Sequence, residues 1–180
     1  MRKLIVLACV ALGFATSALA GPPAAPPEPS GGKGCQFQGT WFGVDPDTHA
    51  LTGWMVTVAG QSANQGTNNL EYPGFDASLG MGLPAVRLST LRGAWQRVGG
   101  NEFDYTMIGM AVAVDGTTVW IGKLSGHITL SADCKTEYIT AALEVFLDPS
   151  VSPFDGEPTF TVPLDPHYGY RASVDLPVMP

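Results

Sequence analysis

The chain has 180 residues, with nine Lys+Arg against sixteen Asp+Glu and a formal net charge of −7. Apolar residues make up 45% and charged ones only 14%, which excludes a disordered acidic chain and an Ala/Glu/Lys-rich helical bundle. Phosphate neutralisation needs clustered Lys and Arg, so this acidic balance also argues against a nucleic-acid partner.

The first twenty residues read as an address label. Arg2 and Lys3 precede a nearly continuous apolar run from Leu4 to Phe14, and Ala18-Leu19-Ala20 places small residues before a cut at Gly21. That order is the pattern of a secretory signal peptide over 1–20. The run is short for a bilayer span, and charged or turn residues interrupt every later apolar run, so no membrane span is expected. The expected location is secreted or periplasmic. Removal of 1–20 takes two basic residues and no acid, leaving seven against sixteen and a net charge of −9. It also removes Cys9 and leaves Cys35 and Cys134. An even pair in an exported domain most simply forms one disulfide. Residues 21–34, GPPAAPPEPSGGKG, are a Pro/Gly-rich linker that cannot build a core. The folded domain, with a Pro-rich C-terminal segment, is expected over 35–180.

From Cys35 the pattern is short strands and turns. Gln38–Val44 and Leu51–Ala59 carry aromatic and β-branched residues suited to a pleated surface. Thr67–Tyr72 is a third candidate, and 73–84 reads as a long loop, a kind often functional or mobile. Arg87–Val98, Asn101–Val114, Thr118–Ser131 and Cys134–Leu147 follow, with Gly99-Gly100-Asn101, Asp115-Gly116 and Ala132-Asp133 as turns. By propensity Thr140–Asp148 also suits a helix, but the β-type residues leading into it favour a strand. Prolines crowd 149–166, and a last strand is expected around Tyr168–Val174.

The faces of these strands point to one core. Trp120, Gly122, Leu124, Gly126, Ile128 and Leu130 share one side of theirs; Phe103, Tyr105, Met107, Gly109 and Ala111 share one side of the preceding strand. The opposite side of that strand carries Ile108, Met110 and Val112, an apolar patch that points to a covered face or a homo-oligomer contact. Seven or eight such strands around one core suggest an all-β, antiparallel up-and-down barrel of about eight strands.

Gly39-Thr40-Trp41 at the start of the first strand resembles the Gly-x-Trp signature of lipocalins and the wider calycin barrels. Thr136-Glu137-Tyr138 is similar to their Thr-Asp-Tyr motif, with Glu in place of Asp, and Arg171 lies where a late Arg covers the Trp. Arg92 to Phe103 resembles a hairpin of small calycin-like bacterial barrels, and also the allene oxide cyclase-like barrels. The resemblance covers most of 36–147. It implies a calycin-like barrel with Trp41 and Arg171 in structural roles at one end.

No catalytic constellation stands out. His49, His127 and His167 share no metal-ligand spacing, and no Cys-x-x-Cys, nucleophile elbow or phosphate-binding loop is present. Neither a metal nor a cofactor is expected. The acids of the tail, Asp148, Asp155, Glu157, Asp165 and Asp175, suit solubility better than a calcium loop. Barrels of about eight strands can hold one small ligand. Trp95, Phe103, Tyr105, Met107 and Leu124 are the expected lining of an apolar pocket, with Tyr105 as its polar anchor. The alternative is that the same side chains simply fill the barrel. Three functions follow from these readings: a non-catalytic carrier of a small apolar molecule, a barrel cyclase or isomerase using Tyr105, His127 or Glu144, and a structural or interaction module.

Overall fold

A computed structural model describes residues 34–45, 48 and 50–172. The signal peptide, nearly all of the linker, His49 and Asp175 lie outside the described residues. The fold is all-β: β1 (Gly39–Val44), β2 (Leu51–Ala59), β3 (Gln65–Glu71), β4 (Arg87–Leu88), β5 (Leu91–Arg97), β6 (Glu102–Val112), β7 (Thr118–Leu130), β8 (Thr136–Phe146) and β9 (Phe160–Arg171). Thr140–Asp148 contributes to a strand, not a helix, because Ala141, Leu143 and Val145 continue the two-residue alternation of β8.

Every pairing is antiparallel. The ladder runs β4-β6-β5-β3-β2-β1-β9-β8-β7, and β6 pairs with β7, so eight strands close into an up-and-down barrel with β4 as a short extension. Closure leaves few unpaired edges, which suits a chain with so many half-apolar strands.

Four turns owe their shape to an aspartate. Asp76, Asp115, Asp133 and Asp148 each accept a backbone N–H two residues on and a neighbouring Ser or Thr hydroxyl. The hydroxyl bonds hold the Asp76, Asp133 and Asp148 carboxyls below the ordinary range, and the backbone N–H of Thr117 does the same for Asp115. At Asp115-Gly116 the glycine takes the positive φ, 86°, that the hairpin requires.

Two strands depart from expectation. Arg87–Val98 is broken into β4 and β5. Leu88 pairs with Ala111 and Arg92 with Ile108, so three intervening residues on one side face two on the other. The extra residue is a bulge. Ser89 fills it by donating its N–H to the Met110 carbonyl and accepting the Met110 N–H at Oγ. The second departure is β9. It begins at Phe160 rather than near Tyr168, and Pro163 and Pro166 lie inside it. Proline survives in sheets at edges and bulges, where no ladder N–H is missed. Residues 160–167 have ladder partners only on β8, because β1 pairs with Tyr168–Arg171 alone, and a register shift between Ile139 and Ala141 absorbs Asp165-Pro166.

The two ends of the barrel are closed differently. At one end Phe37 is fully buried among Trp41, Trp95 and Phe103, with ring centroids 5.8, 5.4 and 4.9 Å away. The Phe37 carbonyl accepts from Trp41 Nε1 and Thr57 Oγ1. The chain before it is pinned by a Cys35–Cys134 disulfide, with a Cα–Cα distance of 5.4 Å, and by bonds from Arg97 to the Cys35 carbonyl and from the Cys35 N–H to Asn101. At the other end the long loop after β3 folds over the opening. Its Phe75, Ala77, Leu79, Leu83 and Ala85 pack against the core, and Trp120 Nε1 donates to the Ala77 carbonyl at 2.9 Å.

Candidate functional site

Between the aromatic plug and the loop lies a cavity of about 440 Å³. This falls in the range of small-molecule sites. Its wall is mostly apolar: Met55, Leu70, Leu91, Met107, Leu124, Ile139 and Leu143, with Trp41 as the floor and Phe75 and Leu88 towards the loop. These are the inward residues of strands that alternate with period two.

The cavity exists because of its smallest residues. Gly53 on β2 pairs with Gly43 on β1, Gly43 pairs with Gly169 on β9, and Gly169 pairs with Glu137 on β8. Gly43 and Gly53 line the cavity without side chains, and Gly169 lies under the Glu137 side chain. A Cβ at Gly169 would lie 2.3 Å from Glu137 Oε1, so only glycine leaves the carboxyl its place. The mouth is lateral. It opens where β9 has lost its β1 partner, between Val44, Asp45, Thr52 and Trp54 on one side and Leu164, Asp165, Pro166 and His167 on the other.

The expected lining residues divide by depth. Tyr105, Met107 and Leu124 stand on the cavity wall. Trp95 and Phe103 face inward but lie below it, packed on Phe37 in the plug. Trp41 is fully buried, and the Arg171 guanidinium lies over its ring at 5.4 Å from the centroid. Ile108, Met110 and Val112 share the outer face of β6, where Met110 is exposed and the other two are half-buried. His127 and Glu144 also face outward. His127 Nδ1 lies 2.8 Å from Asp104 Oδ1, and Glu144 pairs with Lys123 at 2.6 Å. Of the three polar candidates for catalysis, only Tyr105 reaches the interior. Among the described residues, no three His, Cys, Asp or Glu side chains gather as a metal site.

Sequence reasoning missed the polar group at the centre. Glu137 is 2% exposed, and its Oε2 has no hydrogen-bond partner. A carboxylate there cannot keep its hydration, so desolvation raises its pKa from 4.5 to about 8. Burial, with a smaller contribution from the Glu137 charge, also pushes the Tyr105 hydroxyl well above the tyrosine range. The one available signal was the replacement of Asp by Glu in the Thr-x-Tyr motif.

This carboxyl has a thermodynamic signature. The folded state holds the Glu137 proton up to about pH 8, whereas the unfolded chain releases it near 4.5. The folded state therefore binds more protons between those values. Its stabilising share is complete below pH 4.5 and is lost as pH rises through 8. Stability is expected to fall by up to about 1.4 kcal/mol per pH unit across that window. Glu137→Gln is expected to flatten that slope in urea unfolding measured from pH 5 to 8. An unchanged slope would show that Glu137 titrates normally.

No protein-family model matches the chain, and no curated protein or solved structure is similar to it. The fold and cavity by themselves define a closed eight-stranded up-and-down barrel with a laterally opened apolar chamber.

Proposed function

We propose that this is an exported, non-catalytic barrel of the calycin kind that carries a small apolar molecule in the chamber above Trp41. The observation that carries the reading is the chamber itself. A barrel built only for stability would fill this level with side chains, as it fills the level of Phe37, Trp95 and Phe103, because interiors otherwise pack to near-crystalline density. Here a cavity of about 440 Å³ remains, lined by Gly43 and Gly53 without side chains, and residues 160–167 of β9 have no β1 partner beside it.

The signal-peptide pattern of 1–20 and the Cys35–Cys134 disulfide both fit an oxidising compartment. Among the described residues, no helix is long and apolar enough to cross a membrane. On this reading the Pro/Gly-rich 21–34 is a spacer ahead of the barrel.

The test uses n-decanol as a neutral apolar probe. It should raise the melting temperature in a concentration-dependent way, because it binds only the folded state, and change the fluorescence of Trp41. Ala141 lines the chamber beside Leu164. Ala141→Phe should fill the mouth and abolish the shift while leaving the barrel's circular dichroism intact. Failure of any apolar probe to bind the wild type would remove the carrier reading.

A further inference from the structure

We propose that the molecule held in the chamber is an apolar amine, anchored through its ammonium group by the Glu137 carboxylate. The inference rests on the carrier reading and names the chemistry of its ligand.

Five observations converge on it. The carboxyl lines the chamber wall, is almost wholly buried, and its Oε2 accepts from no group of the protein. Buried polar groups are ordinarily satisfied, and each exception needs a reason. Gly43 and Gly53 line the same chamber without side chains, and Gly169 gives the carboxyl its place. Among the described residues, the chamber lining contains no Lys or Arg to pair with the carboxyl. The mouth carries Asp45 and Asp165 with His167, so carboxylates also stand on the entry path. In a chain of net charge −7, such an arrangement draws cations and disfavours fatty acids or other anions. The Tyr105 ring lines the same chamber, and an aromatic ring suits a neighbouring ammonium.

Binding has a definite proton balance. Below about pH 8 Glu137 is a neutral acid in the free protein. An incoming ammonium pairs with the carboxylate, and the Glu137 proton leaves to solvent. One proton is released per amine bound, whereas a neutral alcohol binds without release.

The groups that face this event are Tyr105 from β6, Asp165 and His167 from β9, and Asp45 after β1. Tyr105 stays protonated throughout. Arg171 is engaged over Trp41 and with the Gln38 carbonyl. His167 stands at the mouth, and its replacement controls for it.

The experiment compares n-decylamine, n-decanol and n-decanoate on the full-length exported protein by titration calorimetry and tryptophan fluorescence. At pH 8, decylamine is expected to bind at least tenfold more tightly than decanol, and decanoate more weakly than either. Decylamine affinity should rise about tenfold from pH 6 to 7 and level off above 8, while decanol affinity stays flat. Glu137→Gln should bring decylamine to within threefold of decanol and remove the slope. His167→Gln should keep both. Non-specific attraction of a cation to an acidic surface would survive Glu137→Gln, and that result overturns the proposal. Decanol or decanoate binding the wild type as tightly as decylamine overturns it too, yet leaves the carrier reading standing. Binding of none of the three removes both. Should Glu137→Gln fail to fold, the wild-type pH profile and the proton count decide, since a flat profile without proton release overturns the proposal.

Discussion

Replacing both Cys35 and Cys134 by serine is expected to lower the unfolding free energy by about 4–5 kcal/mol. The bond closes a loop of 99 positions, and in the chain-entropy model such a closure restricts the unfolded ensemble by about that amount. For a domain whose total stability is about 5–15 kcal/mol, this is about a quarter or more of the whole. There is also a folded-state contribution. Cys35 sits 4% exposed over the plugged end, and the bridge holds the segment that delivers Phe37. Guanidinium unfolding of the wild type, with and without reductant, and of the double serine variant measures the effect. The reduced wild type should match the variant. Coincident midpoints for oxidised and reduced protein would show that the crosslink adds nothing.

Phe37→Ala is expected to cost about 3–5 kcal/mol, the range for deleting a fully buried large aromatic side chain. Phe37 is in contact with three other rings at the plug, so the loss includes three aromatic contacts as well as transfer from water. The void would lie directly under Trp41, the floor of the chamber. A red shift in tryptophan emission should therefore accompany the lower denaturation midpoint. The substitution and the disulfide act on the same few residues, so their effects should not add. In the double serine background Phe37→Ala should cost measurably less than in the wild type. Full additivity would mean that the disulfide and the plug stabilise independent parts of the barrel.

Much of the barrel was legible in residue order because alternation is a local signal. The β2 boundaries Leu51–Ala59 coincide with expectation, and the inward sets of β6 and β7 are the predicted ones. The misreadings have local causes as well. Pro163 and Pro166 argued against a strand, but β9 runs there along an opened edge with a bulge, where proline loses nothing. Ser89-Thr90 looks like ordinary strand sequence, and only the offset between the Leu88 and Arg92 pairings reveals the bulge.

The site was less legible. Period two tells which face a side chain takes, but not its depth along the barrel axis. Trp95 and Tyr105 are both inward and are cross-strand partners, yet one packs in the plug and the other stands on the chamber wall. Apart from its place in the Thr-x-Tyr motif, Glu137 carries no local mark of burial. Its surroundings come from Gly43 and Gly53, 94 and 84 positions before it, and from Gly169, 32 positions after it, brought together only by the closing of β1 on β9.

By itself the sequence determined the alternating strands, their turns, the inward and outward faces, and the two cysteines of the mature chain, because each depends on neighbours a few residues apart or on composition. Tertiary structure alone decided that Phe37 seals one end, that the loop after β3 covers the other, and that Gly43, Gly53 and Gly169 align to leave a chamber facing a buried carboxyl. The physical reason is register. Which inward residues share a level is set by the stagger of strands distant in the chain, and that stagger is fixed only when the barrel closes.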